Sequence, residues 1–161
     1  MDDRRGPVGD DIASETQHVM RSISATKTVM TGDGRRLAYM EVGDPNGPSI
    51  ILNHGGPSSR YEARLLAGSA TTNRLRLRCV DRPGQGQSSP QIPRTYFDWA
   101  NDLVTIADAL RHHKFGVTGW SVGGPWALAA AAYIDLDRLR HVSSIAGGSY
   151  RAFAMIGQPN T

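Results

Sequence analysis

One serine in this chain stands where a hydroxyl could act as a nucleophile. Ser121 lies in Gly119-Trp120-Ser121-Val122-Gly123, between a β-prone run from Phe115 to Trp120 and an alanine-rich run from Pro125 to Ala132. In a strand, turn, helix context, glycines two residues either side of the serine leave room for a tight turn that lifts the hydroxyl clear of a sheet. The helix that follows directs its free N–H groups and positive end toward the same place. The chemistry implied is attack by an alcohol on a carbonyl carbon. Serine also caps helices well, so the pentapeptide alone leaves a structural role open.

The elements that would position this turn are legible along the chain. Residues 1–22 are polar, with a weak helical spacing of Ile12, Val19, Met20 and Ile23, and read as a flexible arm. Ser24 to Met30 and Arg35 to Val42 are β-prone runs around Thr31-Gly32-Asp33-Gly34, which predicts a hairpin. Ser49 to Asn53 is continuously apolar up to its last residue, as expected of a strand covered on both faces, and stops at His54-Gly55-Gly56-Pro57. Residues 58–73 are expected to form a helix with Leu65, Leu66 and Ala70 inward, followed by a strand from Leu75 to Val80. A loop rich in breakers, Asp81 to Ser88, precedes a helical spacing from Tyr96 to His112. A strand from Phe115 to Trp120, a helix from about Val122 to Ile134 and a strand from His141 to Ala146 complete the order.

Strands alternating with helices predict an α/β fold with a mostly parallel sheet, an N-terminal antiparallel hairpin and helices on both faces. Ligands bind such sheets at the carboxyl ends of the strands. All three glycine-rich stretches, 54–57, 81–88 and 119–124, fall at those ends.

Composition narrows the class. At 161 residues the chain has the size of one ordinary domain, and its single cysteine, Cys79, permits no internal disulfide, so a reducing, cytoplasmic setting is expected. The first residues carry no apolar signal core, and no run of eighteen apolar residues occurs, so neither export nor a membrane partner is expected. The net charge of +3 is dispersed; Arg74, Arg76 and Arg78 merely alternate with Leu75 and Leu77, which argues against a nucleic-acid partner. No strand runs into Gly-x-Gly-x-x-Gly with an acidic residue about twenty positions on, so a dinucleotide cofactor is not expected. No other cofactor and no metal is expected either.

With His54-Gly55-Gly56-Pro57, Asp81-Arg82-Pro83-Gly84-Gln85-Gly86-Gln87-Ser88 and Gly119-Trp120-Ser121-Val122-Gly123 in this order, the chain resembles the α/β-hydrolase family over roughly residues 24–150. Its His-Gly-Gly-Pro form is similar to proline iminopeptidases and to related esterases and amidases. The resemblance implies a catalytic Ser121 and an oxyanion hole made by the backbone N–H groups of Gly56 and Val122. It implies structural roles for His54, Asp81 and Arg82. Serine at this position argues against haloalkane dehalogenases and epoxide hydrolases, which use aspartate. Trp120 and Trp126 read as packing.

A serine nucleophile needs a base and an acid, in this fold in the order Ser, Asp or Glu, His. After Asp137 the chain carries no Asp or Glu, and His141 is the only histidine beyond Ser121. That histidine begins its strand, a sheet length from the turn, and His112 and His113 lead into the same wrong end, where they favour a helix C-terminus. Residues 23–161 therefore read as the N-terminal part of such a domain, without the cap, acid-bearing and histidine-bearing segments. The expectation is hydrolysis of an ester or amide bond in a small molecule, incomplete or weak in this chain alone. The alternative is a non-catalytic binding module or remnant. An exposed sixth strand predicts self-association or a complementing chain. Arg78 stands where the family has an apolar strand residue.

Overall fold

The computed structural model describes residues 25–147. The arm expected over residues 1–22 lies outside them. Six strands form one sheet: β1 (Lys27–Met30), β2 (Arg36–Gly43), β3 (Ser49–Asn53), β4 (Arg76–Val80), β5 (Phe115–Trp120) and β6 (Leu139–Ile145). Their order is β1-β2-β4-β3-β5-β6. β1 pairs antiparallel with β2, and β2 with β4. The β4/β3, β3/β5 and β5/β6 pairs are parallel. The expected hairpin and parallel core are both present.

Period-two alternation sends side chains to two cores. Leu37, Tyr39, Ile51, Val80 and Val117 face one side, where they meet Trp99, Leu103 and Ile106 of α2 (Tyr96–Ala109) and Ala127 and Ala130 of α3 (Gly123–Tyr133). Met40, Val42, Leu52, Leu77 and Cys79 face the other, under Ala63 of a 3₁₀ helix (Arg60–Leu66) and Ala70 of α1 (Ala67–Thr72). Helices thus cover both faces, as the unbroken apolar β3 requires. A reciprocal capping box between Thr95 and Asp98 starts α2.

Three expectations change. Residues 58–73 split into a 3₁₀ and an α segment, and Leu65 is 83% exposed rather than inward. A 3₁₀ turn advances three residues rather than 3.6, so the inward positions shift to Arg60 and Ala63. Helix α2 ends at Ala109, and the His112 imidazole accepts from Arg78 Nη2 at 2.9 Å instead of serving a helix end. Burial, with the charges of Arg78 and Arg76, keeps His112 below the ordinary imidazole range, which suits an acceptor.

Arg78 is tolerated in the core because every side of it is partnered. It is 1% exposed and donates to Glu41 Oε2 at 2.7 Å and Ser49 Oγ at 2.6 Å. Glu41 also receives Lys27 Nζ and Arg76 Nε, each at 2.9 Å. Burial acts to raise the Glu41 carboxyl, but the hydrogen bonds from Arg76 and Lys27 and the charge of Arg78 outweigh it, and the pKa falls from 4.5 to about 2. A carboxyl depressed in the folded state stabilises the fold fully above its unfolded value. The cluster's contribution is therefore present above pH 4.5 and is lost as pH falls toward 2. Urea midpoints followed across that window are expected to drop, with a shallower drop in Glu41→Gln; equal slopes would show that Glu41 is uncoupled.

Candidate active site

The site forms where β3, β4 and β5 end side by side. Two of the three glycine-rich stretches meet directly: a Cβ placed on Gly55 would lie 3.5 Å from Ser121 Cβ, and one on Gly56 would lie 3.0 Å from Val122 Cγ2. The structure thus brings Ser121, Gly56 and Val122 together across more than sixty residues of sequence. The third stretch, 81–88, holds this pair from behind.

Ser121 is the strained residue of the turn. Its φ is 51°, left-handed backbone that costs a non-glycine residue about 1–2 kcal/mol. Its N–H donates to Ile145 O of β6 at 2.9 Å, and its carbonyl accepts from Gly124 N–H at 2.9 Å. Sheet and helix together pin it. The flanking glycines answer to space rather than to torsion. A Cβ on Gly119 would approach Gly123 O to 2.2 Å, and one on Gly123 would approach Asn53 O to 2.1 Å.

Asp81 and Arg82 anchor the loops. Asp81, fully buried, accepts the Arg60 N–H at 2.6 Å, Arg60 Nη1 at 2.6 Å and the Gln87 N–H at 2.9 Å. Gly86, at φ 51°, lets its backbone pass so close that a Cβ would sit 2.0 Å from Asp81 Oδ2. Arg82 Nη1 donates to His54 O at 2.6 Å; burial, with Arg94 nearby, lowers its pKa to about 10, still charged at neutral pH. Asp81→Ala strands the Arg60 guanidinium, which is 2% exposed, and is expected to cost about 3–5 kcal/mol in urea unfolding. A loss under about 1 kcal/mol would mean that water reaches Arg60.

His54 is fully buried. Its Nδ1 lies 2.7 Å from the Gly55 carbonyl, so Nδ1 carries the proton and donates. Burial and then the Arg82 charge push this imidazole below its ordinary range. Among the described residues no imidazole hydrogen-bonds to the Ser121 hydroxyl. His141 pairs with Gly116, five residues before Ser121 along β5, roughly 16 Å away at strand rise.

A cavity of about 630 Å³ opens over Ser121, lined by Gly56, Tyr61, Glu62, Leu66 and Trp120. Trp120, read from sequence as packing, is 43% exposed and forms a wall of this cavity. It ends β5, where alternation points its ring out of the core. Trp126 does pack, against Tyr96 at 4.3 Å between ring centroids. Tyr61 and Glu62 carried no sequence signal, since the 3₁₀ helix that presents them breaks the expected helical period. Among the described residues no group of three His, Cys, Asp or Glu side chains could hold a metal ion, and no helix is long and apolar enough to cross a membrane.

A family profile described as alpha/beta hydrolase fold matches residues 48–156. The chain belongs to this family. Proline iminopeptidase from Xylella fastidiosa (strain 9a5c) is 33% identical over 101 residues, which is 62% of this chain and 31% of that protein. Serine hydrolase BPHL from Mus musculus is 30% identical over 113 residues, 68% of this chain and 39% of that protein. A hydrolase from Pseudomonas aeruginosa PA01 superposes with a TM-score of 0.65 at 24% identity, over 73% of this chain and 44% of that one, a likeness of fold. The chain thus spans between 31% and 39% of these two curated relatives. Its mostly parallel six-stranded sheet agrees with that fold.

Proposed function

We propose that this alpha/beta hydrolase chain carries the nucleophile and oxyanion hole of a serine hydrolase acting on an ester or amide bond of a small molecule. Ser121 attacks the carbonyl carbon, and the N–H groups of Gly56 and Val122 take the oxyanion. The observation that carries this reading is the strained Ser121 at φ 51°, set against a loop whose Gly56 lies so near Val122 that a Cβ there would come within 3.0 Å of Val122 Cγ2. Among the described residues neither amide makes a hydrogen bond, so both remain available to a substrate oxygen. The apolar walls, Leu66 and Trp120, suit an apolar acyl or amine group. The relatives named proline iminopeptidase and serine hydrolase are in keeping with this chemistry.

The imidazole and carboxylate that activate Ser121 come, in this proposal, from polypeptide outside the described residues. Treatment with an alkyl fluorophosphonate, read by intact mass and peptide mapping, is expected to place an adduct on Ser121. A well-folded sample that stays unlabelled, alone and with every candidate partner, sinks the nucleophile. A second reading, in keeping with a Ser121 hydroxyl that no imidazole reaches among the described residues, is a binding module that uses the cavity without chemistry. That module would bind ligand equally well after Ser121→Ala.

A further inference from the structure

Resting on the reading of Ser121 as nucleophile, we propose that Glu62 is a positioning residue that aims the Gly56 N–H at the reacting oxygen. Gly55 and Gly56 have no side chains with which to lock their own backbone, so the loop takes its orientation from outside. Three side chains supply it. Glu62 Oε2 accepts the Gly55 N–H at 2.9 Å. His54 Nδ1–H at 2.7 Å and Arg82 Nη2 at 3.4 Å both donate to the Gly55 carbonyl.

In a planar trans peptide the Gly55 carbonyl and the Gly56 N–H point in opposite directions. The carbonyl is held toward the buried His54 and Arg82, which turns the Gly56 N–H the opposite way, on a loop where a Cβ at Gly56 would come within 3.0 Å of Val122 Cγ2. The carbonyl clamp by itself fixes one end of the Gly55 unit. The preceding peptide is held at its His54 carbonyl by Arg82 Nη1 at 2.6 Å and at its Gly55 N–H by Glu62, which among the described residues is the only partner of that N–H. The carboxylate serves nothing else among the described residues: its single hydrogen bond is to Gly55, and Oε1 is shut from solvent without a partner. Enclosing a carboxylate oxygen in this way is unfavourable, so the bond to Gly55 is the return the fold obtains for it.

The test compares Glu62→Ala, Glu62→Gln and Glu62→Asp. Glutamine keeps an acceptor of the same reach, whereas aspartate keeps the charge but is one methylene short. Fluorophosphonate labelling of Ser121 is expected to slow about a hundredfold in Glu62→Ala and Glu62→Asp, the cost of one misaimed oxyanion donor, and to recover most of its rate in Glu62→Gln. In ¹⁵N spectra the Gly55 and Gly56 amides are expected to shift in the Ala and Asp variants, with Gly55 hydrogen exchange at least about tenfold faster once its acceptor is gone. If Glu62→Ala does not fold, the Asp and Gln pair carries the comparison. Equal labelling rates in all variants, or Gly56 resonances that do not move, overturn the role of Glu62. If wild-type protein is not labelled at all, the nucleophile fails, while the Gly55 and Gly56 amides still decide whether Glu62 orients the loop.

Discussion

Ser121→Ala is expected to remove every fluorophosphonate adduct while leaving the urea midpoint of the protein almost unchanged. Adduct formation joins Oγ to phosphorus and expels fluoride, and the hydroxyl proton leaves to a base or to water. Without Oγ no bond to phosphorus can form at this turn. Stability is untouched because Oγ makes no hydrogen bond among the described residues, and alanine keeps the backbone at φ 51° with the same strain as serine. Surface changes of this kind fall within about 0.5 kcal/mol. The rate in unmodified protein reports on whether a base reaches Ser121. Loss of the base in a serine triad costs about a millionfold in turnover, with about a thousandfold over water left to oxyanion contacts and binding. Labelling of the chain by itself is therefore expected to be slow, and to accelerate by several orders of magnitude when a polypeptide brings an imidazole to Ser121. An adduct that persists in Ser121→Ala would move the nucleophile to another residue.

Gly123→Ala is expected to be among the most damaging single-atom additions this chain can receive. The new Cβ would lie 2.1 Å from Asn53 O, 2.7 Å from His54 O and 2.8 Å from Asn53 C, all backbone atoms of the adjacent strand end. No rotamer can relieve the clash; either β3 or the start of α3 must move. Asn53 cannot yield cheaply, since its side-chain Nδ2 donates to Thr118 O at 3.2 Å and its side-chain Oδ1 accepts from Trp99 Nε1 at 2.6 Å. The expected loss is at least about 3 kcal/mol, the upper range for forced overpacking and a large share of a domain's 5–15 kcal/mol. Gly68→Ala provides the contrast. Nothing lies within 4 Å of its Cβ position, and in α1 it is expected to stabilise by about 0.5–1 kcal/mol. Equal urea midpoints for the two variants would show that the turn is looser than its packing implies.

The parts of the site that were legible in sequence are those that depend on local pattern. Ser49–Asn53 and Phe115–Trp120 emerge as strands with the bounds read from sequence, because runs covered on both faces are apolar up to the breaker that ends them. The turn at Ser121 was legible because glycine spacing and the change from strand to helix period fall together. Leu65 was misplaced because a 3₁₀ turn and an α turn share the same residue types but differ in period. Trp120 was misjudged because an aromatic at a strand end can face a core or a cavity, and its neighbours across the sheet decide which. Arg78 looked out of place because Glu41 and Ser49, which pair with it, lie 37 and 29 residues away.

The sequence by itself determined the strand and helix order, the two-faced core and the turn that holds the proposed nucleophile, since each follows from local periodicity and the steric needs of one turn. Only the tertiary structure decided what surrounds that residue. Parallel pairing in register sets Asn53 beside Gly119, which brings Gly56 against Val122 and seats His54 with its proton committed to the Gly55 carbonyl. It also turns Glu62 onto the Gly55 amide. These are contacts between chain segments that no short window of residues contains, and they arise because the sheet, rather than the sequence, makes those segments neighbours.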